Sequence, residues 1–206
     1  MTAPPAEDLL AIDAATQDLL FRAARTANAF TAEPVTDAQV QAIHRLVRYG
    51  PTAFNGQPLR VVLVRSADAR HRLLPHLSEA NRAKTAAAPL VAILAADTDF
   101  HEHLPRVLPH RPEVRDRYAA PGRAAAREVQ ARFNAAVQIG YLIVGIRAAG
   151  LAAGPMAGFD PAGVDAEFFP DGRLRSLLVV NIGRPGPDAW ADRLPRLGYR
   201  DVVQTI

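Results

Sequence analysis

Two kinds of apolar spacing alternate along the chain. Apolar residues recur every three to four positions, as on one face of a helix, in the stretches 7–27, 36–50, 67–77, 79–88, 123–149 and 160–169. Apolar runs with several β-branched residues, which are typical of buried strands, lie within residues 60–65, 90–95 and 174–182. This order predicts one α+β domain over residues 1–206, with a mixed central sheet flanked by helices.

Local signals mark where several of these helices begin. Thr36 followed by Gln39 predicts a capping box at the start of the second helix. Asp160 before Pro161 predicts an N-cap and the first helical position of a short helix.

The longest predicted helix covers residues 123–149. After Phe133 its residues are apolar on nearly every side, which predicts a central helix that is buried all round. One small domain does not easily cover so much apolar surface. Two arrangements are therefore open: part of the helix packs against a second copy of the chain, or the core is self-contained.

Composition narrows the class of protein. The 206 residues are 49% hydrophobic, which is enough for a full core, and none is cysteine, so disulfides and thiolate metal sites are excluded. A reducing cytoplasm is the expected location. The longest apolar run, 139–146, is too short to span a membrane, and the N-terminus lacks the basic start of a secretory signal. The net charge of +3 is scattered, which argues against a nucleic-acid partner.

The basic residues are almost all arginine. Among 24 lysines and arginines, Lys84 is the single lysine. An exposed, solvated charge could equally well be arginine, so the retained ammonium indicates a place that needs a compact point charge. Chance is an equally good explanation when Lys84 is considered alone.

The loop 50–58 reads GPTAFNGQP and separates a predicted helix from a predicted strand. Its prolines restrict the backbone, its glycines relax it, and Thr52, Asn55 and Gln57 offer short polar groups for a ligand. Such a loop alone is more often a plain connection. A site is indicated only if matching chemistry recurs elsewhere in the chain.

Further polar clusters do recur, at 25–28, 81–84, 154–158 and at Arg196 in the tail. Three of the five asparagines, Asn28, Asn55 and Asn81, fall in these clusters or in the loop. Each cluster alone has an ordinary interpretation, as a solvated helix end, an exposed helical face, a turn or a surface charge. Together they form a pattern that covers most of the chain.

That pattern resembles the FMN-dependent nitroreductase family. The carrying stretches are RTANAF at 25–30, PTAFNGQP at 51–58, NRAK at 81–84, PMAGFD at 155–160 and LPR at 194–196. Their order and spacing agree over about 170 residues, which is more specific than any single motif. The resemblance implies a nitroreductase-like α+β fold, a homodimer with FMN at the subunit interface, and NADPH or NADH as the reductant.

The resemblance also implies the cofactor-binding residues. They are Arg25, Thr26, Asn28, Pro51, Thr52, Ala53, Asn55, Gln57, Asn81, Lys84, Pro155, Met156, Ala157, Gly158 and Arg196. Arg25, Thr26 and Arg196 suit the flavin phosphate, while Lys84 and Asn81 suit the charge that develops near flavin N1 and O2. Asn28 departs from the pattern, because many family members have arginine or lysine there. No acid-base side chain and no metal is required.

The segment 100–122 is rich in proline and arginine and predicts short helical turns on the surface. We expect it to form a lid over the open face of the flavin. Within the family the chain is most similar to members that reduce malonic semialdehyde in pyrimidine degradation, and Arg111, Arg115 and Arg117 are the candidates for that acid's carboxylate. The alternatives are a quinone or nitroaromatic reductase of the same family and a flavin-binding protein without turnover.

Overall fold

The computed structural model describes residues 9–206. The helices are α1 Ala14–Gln17, α2 Asp37–Val47, α3 Ala67–Leu73, α4 Glu79–Ala87, α5 Leu104–Val107, α6 Pro112–Ala119, α7 Ala124–Ala148, α8 Pro161–Phe168 and α9 Tyr199–Val202. The strands are β1 Leu59–Val64, β2 Leu90–Asp97, β3 Ala152–Met156 and β4 Leu174–Gly183. Short 3-10 turns occupy Ala53–Asn55, Leu74–His76 and Phe100–His103, and a π-helical turn occupies Asp18–Arg22.

The four strands form one sheet in the order β1-β2-β4-β3. The α+β fold class is confirmed, but all three strand pairings are antiparallel, whereas a mixed sheet was predicted. An apolar run predicts that a strand is buried and carries no information about its direction. The direction of a strand depends on the end of the sheet at which the connection from the previous strand enters it.

Strand β3 was not predicted. The sequence placed residues 154–158 in a polar cluster whose ordinary interpretation was a turn, yet Gly154 pairs with Asn181 and Pro155 with Val180 on β4. Because β3 is an edge strand, Pro155 costs the sheet no central hydrogen bond. The loop proper is therefore limited to residues 157–160, and Asp160 caps α8 as predicted by accepting a hydrogen bond from the backbone of Ala162.

The core lies on both faces of the sheet. Alternate residues of β2, which is buried along its full length, point to opposite sides. Leu90, Ala92 and Leu94 join a cluster with α2 and α7, and Val91, Ile93 and Ala95 join one with α3 and α8. The predicted capping box of Thr36 and Gln39 starts α2.

Helix α7 packs on the sheet through one side. Its buried residues include Ala131, Ile139 and Ile146, but Val129 and Phe133 are 64% and 67% exposed and Tyr141 is 45% exposed. The prediction that this helix is buried all round is therefore wrong for a single chain. The described part of the chain packs α2, α6, the π-helical turn 18–22 and the sheet against α7, and these leave Phe133 and Tyr141 exposed.

The ends of the predicted first helix also differ from the structure. Residues 7 and 8 lie outside the described residues. From Ala14 the chain is helical to Arg22, and residues 23–27 then leave the helix and run along the edge of the sheet. Within residues 9–206 no helix is long and apolar enough to cross a membrane.

Candidate functional site

The segment 25–28 lies against edge strand β3. The backbone N–H of Ala27 donates to the carbonyl oxygen of Ala153 at 3.0 Å, and Ala27 is buried. This approach requires a glycine, because a Cβ on Gly154 would lie 2.5 Å from the carbonyl oxygen of Ala27. The missing side chain of Gly154 therefore sets the position of the neighbouring Arg25, Thr26 and Asn28.

The C-terminal tail closes over this segment. The Arg25 guanidinium donates to the carbonyl oxygen of Ala191 at 3.1 Å, and Arg193 donates to the carbonyl oxygen of Ala24 at 3.1 Å. Together they enclose a cavity of about 200 Å³. Its polar lining consists of Arg25, Thr26, Asn28, Asp192, Arg193 and Arg196.

Four of those lining residues were predicted: Arg25, Thr26, Asn28 and Arg196. The structure brings them together although about 170 positions separate the ends of the set. Three guanidinium groups face one carboxylate, so the cavity carries a net positive charge suited to an anion. Arg193 was not predicted as a site residue, and its only sequence signal is that it precedes the tail motif LPR.

Helix α4 joins this cluster through Asn81 and Lys84. The Lys84 ammonium donates to Asn28 Oδ1 at 3.3 Å. The Asn81 side-chain amide donates to the carbonyl oxygen of Gly158 at 2.9 Å and to Ser78 Oγ at 3.0 Å. A Cβ on Gly158 would lie 2.9 Å from Asn81 Nδ2, so glycine is needed for this close contact. The two residues on one face of α4 therefore connect the segment 25–28 to the loop after β3.

The loop after β3 presents free backbone donors. Ala157 and Gly158 are exposed, and neither backbone N–H donates a hydrogen bond to another described residue. An unpaired pair of N–H groups beside a positively charged cavity is suited to an acceptor atom of a ligand. The predicted neighbours Pro155 and Met156 lie in β3, where their side chains are half-buried and buried.

Beneath the cluster lies a buried polar pair that was not predicted as part of the site. The Asn181 side-chain amide on β4 donates to Thr85 Oγ1 at 3.2 Å, and Thr85 contacts the Met156 sulfur at 3.8 Å. Both Asn181 and Thr85 are fully buried, and Asn181 Oδ1 has no hydrogen-bond partner among the described residues. The signal is present in the sequence, since Asn181 interrupts an otherwise apolar strand pattern.

The loop 51–58 is not brought to this cluster. The backbone N–H of Ala53 donates to Asn134 Oδ1 on α7 at 2.7 Å. The Asn55 side-chain amide donates to the carbonyl oxygen of Val107 at 2.9 Å, and the backbone N–H of Gln57 donates to Thr52 Oγ1 at 3.2 Å. The predicted residues Pro51, Thr52, Ala53, Asn55 and Gln57 therefore lie together beside α5 and α7.

The backbone of this loop is strained at residues that are not glycine. Phe54, Asn55 and Gln57 have φ values of 53°, 52° and 45°, in the left-handed region. Gly56, expected to relax the loop, has an ordinary φ of −69°. It is needed for a different reason, because a Cβ there would lie 2.9 Å from the ring of Phe100. Strain of this kind concentrates at functional sites.

The three predicted lid arginines differ in their surroundings. Arg111 pairs with Glu113 and lies over the ring of Phe54 at 5.9 Å from its centroid, and this pairing holds the pKa of Glu113 below its usual value. Arg115 pairs with Asp116 at 3.0 Å. The Arg117 guanidinium forms no hydrogen bond or ion pair within residues 9–206, and it lines a second cavity. Arg117 is thus the lid arginine with a charge available to a ligand.

The sequence matches one protein family over most of its length. The family described as the Nitroreductase family matches residues 21–184. A Streptomyces griseus protein named "Putative NADH dehydrogenase/NAD(P)H nitroreductase" is 60% identical over 197 residues, which cover 96% of this chain and 99% of the relative. A protein of the same name from Leptothrix cholodnii is 47% identical over 92% of this chain and 95% of its own.

Solved structures share the fold at low identity. A nitroreductase structure from Exiguobacterium sibiricum, determined in complex with FMN, aligns with a TM-score of 0.80 at 18% identity and covers 95% of this chain and 98% of its own. A Bacillus subtilis structure described as a "putative nitroreductase" gives a TM-score of 0.81 at 20% identity, over 94% of this chain and 100% of its own. At this level of identity the two structures bear on the fold alone.

Proposed function

The chain belongs to the nitroreductase family and is an FMN-dependent NAD(P)H oxidoreductase, and we propose that it reduces malonic semialdehyde to 3-hydroxypropionate. In this reaction the aldehyde carbon gains a hydride equivalent from NAD(P)H and the oxygen gains a proton from water, which gives the alcohol and NAD(P)⁺. Bound FMN supplies the two-electron relay between the nicotinamide and the acceptor. A quinone or nitroaromatic acceptor is the second candidate.

The observation that supports FMN binding is the cluster of cations and free amides beside β3. A flavin phosphate is a dianion, and Arg25, Arg196 and the hydroxyl of Thr26 line a cavity in which arginines outnumber the single carboxylate. Asn28 has no charge of its own, but it holds the Lys84 ammonium at 3.3 Å. The charge at the phosphate would therefore come from Arg25 and Arg196, and Lys84 keeps its separate place beside the ring.

The same cluster fits the flavin ring. Lys84 and Asn81 would stabilise negative charge on the pyrimidine side of the ring, and the unpaired N–H groups of Ala157 and Gly158 would donate to a ring nitrogen. Gly158 permits a close approach because it has no side chain. The residues present therefore fit the cofactor, and none of these roles requires a titrating side chain.

We further propose a homodimer that completes the site. In one chain the loop 51–58 lies beside α5 and α7, away from Arg25 and Lys84. The exposed apolar side of α7 and the exposed tail residues Leu194 and Leu197, 72% and 77% accessible, offer surface for a second copy. A partner that covers this surface would place its loop next to the cation cluster.

The acceptor assignment depends on a free cation for the acid's carboxylate. Of the three lid candidates, Arg117 has no carboxylate partner in the described chain, whereas Arg111 and Arg115 are paired. A carboxylated acceptor would gain a charge-assisted hydrogen bond from Arg117. The quinone and nitroaromatic candidate is favoured by a different observation, the aromatic wall of the cavity that Arg117 lines.

Titration of the flavin-free protein with FMN tests the cofactor site. Arg25→Ala and Arg196→Ala should each weaken the Kd by about tenfold to a hundredfold, because a charge-assisted phosphate contact contributes on the order of 1.5 to 3 kcal/mol. Lys84→Met should mainly lower the midpoint potential of the bound flavin. Arg72→Ala is the matched control, since Arg72 pairs with Asp68 and Glu167 away from the cavity. Wild-type affinity in both arginine variants would overturn the phosphate assignment.

A panel of acceptors tests the reaction. The FMN-loaded protein should consume NAD(P)H steadily with malonic semialdehyde, and kcat/KM for it should exceed that for a neutral quinone. A preference for quinones by orders of magnitude would replace the first candidate with the second. No steady consumption with any acceptor would instead identify a flavin-binding protein without turnover.

A further inference from the structure

A cavity of about 530 Å³ lies between the loop 51–58, α6 and the first turns of α7. Its apolar lining includes Phe54, Val114, Tyr118 and Val129, and its charged lining includes Arg117 and Arg123. This volume is in the range of pockets that hold a ring-sized ligand. The cavity borders the strained part of the loop that the family resemblance assigns to the flavin.

The aromatic wall of this cavity is built from rings that pack against one another. Tyr118 packs edge-to-face against Phe100, with ring centroids 5.1 Å apart and planes at 68°, and against Phe54 at 6.3 Å and 77°. Phe54 lines the cavity and is 37% exposed. Burial raises the pKa of Tyr118, so its phenol stays neutral. A planar ligand would therefore meet an uncharged aromatic surface.

Two arginines at the cavity have no directly bonded partner in the described part of the chain. The guanidinium groups of Arg117 and Arg123 form no hydrogen bond or ion pair with the residues that the structure describes, and no aspartate or glutamate from those residues lines the cavity. A third lining arginine, Arg127, is different: it is held by Asp99 at 2.8 Å and by the carbonyl oxygens of Thr98 and Tyr118. Arg117 and Arg123 are both exposed, so their guanidinium groups are accessible to a carboxylate that enters the cavity.

We propose that this cavity is the acceptor subsite for planar carboxylated molecules, in which Arg117 and Arg123 together bind the carboxylate and Phe54 and Tyr118 contact the ring. The inference deepens the proposed function and rests on it. It adds Arg123, which the motif pattern does not include, and it names aromatic acids as a substrate class. Malonic semialdehyde would use the charged pair alone, whereas an aromatic acid would use both features.

The test compares two acceptors that share a ring and differ in charge, 4-nitrobenzoate and 4-nitrobenzyl alcohol, on FMN-loaded protein. The measured quantity is kcat/KM for the acid divided by kcat/KM for the alcohol. Arg117→Gln and Arg123→Gln should each lower this ratio on the order of tenfold, because KM for the acid increases. The double variant should lower the ratio further. The alcohol should be affected less than about twofold. Arg106→Gln is the control, because Arg106 is an exposed arginine of the same segment that does not line the cavity.

A separate variant tests whether the aromatic wall contacts the ring of the ligand. Tyr118→Leu should raise KM for 4-nitrobenzoate and leave KM for malonic semialdehyde within about twofold, since the small acid does not reach the wall. Equal effects on both acids would overturn the assignment of the wall to the ring.

Calorimetric titration with benzoate separates this inference from the proposed function. Benzoate should bind the wild type and bind the double variant at least about tenfold more weakly, whether or not turnover occurs. If the protein reduces neutral acceptors but the acid-to-alcohol ratio is unchanged in the double variant, the subsite is wrong and the proposed oxidoreductase stands. If no acceptor is reduced while benzoate binding depends on Arg117 and Arg123, the cavity stands and the reaction is wrong.

Discussion

Replacing Gly154 by alanine should separate the position of the cation cluster from the stability of the fold. The new Cβ would lie 2.5 Å from the carbonyl oxygen of Ala27 and 3.5 Å from Asn181 Cβ and the Phe30 ring. A carbon atom and a carbonyl oxygen need about 3.3 Å or more, so the segment 25–28 must retreat from β3 by about 0.8 Å. Strand β3 itself has little freedom, because it is paired with β4 along its length.

The cost of such overpacking is about 1 to 3 kcal/mol. The segment carries Arg25 and Thr26 on the rim of the cavity, so its displacement should appear mainly as weaker FMN binding. At 1.4 kcal/mol per tenfold, we expect the Kd for FMN to rise by about tenfold to a hundredfold. The assay is titration of flavin-free Gly154→Ala while flavin fluorescence is followed.

A matched control is Val64→Ala on β1, the opposite edge of the same sheet. Val64 is 2% exposed, so loss of its buried methyl groups should cost about 2 kcal/mol of stability. For a chain of this size each kcal/mol lowers Tm by about 2 to 4 °C. The control should therefore melt earlier but bind FMN with the wild-type Kd. If Gly154→Ala also binds FMN as the wild type does, the contact with β3 does not position the cluster.

Three further outcomes follow from other contacts. Asp97→Asn should lower the free energy of unfolding by about 3 kcal/mol in urea titrations. The reason is that the Asp97 carboxylate is 1% exposed and accepts hydrogen bonds from Arg60 at 2.6 Å and Arg173 at 2.9 Å. An unchanged urea midpoint would contradict this prediction. Burial lowers the pKa of His101 below its ordinary value of 6.5. The folded protein therefore binds fewer protons at this residue than the unfolded chain does. The free energy of unfolding should be highest above pH 6.5 and should decrease as the pH falls below that value. In thermal melts between about pH 7.5 and about pH 5.5, His101→Leu should make Tm depend less on pH. Phe133→Glu should convert a dimer to a monomer in sedimentation experiments, and a dimer that persists would exclude this side of α7 as the interface.

The residues that sequence reasoning groups best are those that share a ligand. The family resemblance groups Arg25, Lys84 and Arg196, and a dianionic, reducible cofactor would need cations of these different shapes. Their order along the chain also matches a known pattern. The three residues lie around the segment 25–28 in the fold, as expected if they serve one ligand.

The missed elements share a different cause. Strand β3 contains Gly154 and Pro155, which propensity assigns to turns, and it is a strand because β4 offers an edge to pair with. Likewise the left-handed residues of the loop are Phe54, Asn55 and Gln57, where a local rule favours glycine. In both cases contacts distant in sequence override local preference.

Counting arginines in the sequence also does not predict which of them lack a carboxylate partner in the fold. Arg111, Arg115 and Arg117 are equivalent by composition, and only the positions of Glu113 and Asp116 in space distinguish them. Arg123 lies beyond the proline-rich segment, so its position in the chain does not group it with the lid arginines. A free cation is a property of the folded surface and cannot be read from spacing alone.

Helix α7 explains why one chain holds two separate halves of the predicted site. Asn134 on α7 accepts a hydrogen bond from the loop at Ala53, and Arg147, near the other end, donates to the carbonyl oxygen of Leu19. Thirteen residues of helix separate these anchors by about 20 Å at 1.5 Å per residue, roughly twice the length of a flavin ring system. Leu19 and Arg147 line a cavity together with Arg25, so the loop and the cation cluster lie near different parts of α7. If the proposed homodimer brings the loop of a second copy to this cluster, any change that separates the two copies should also release the cofactor.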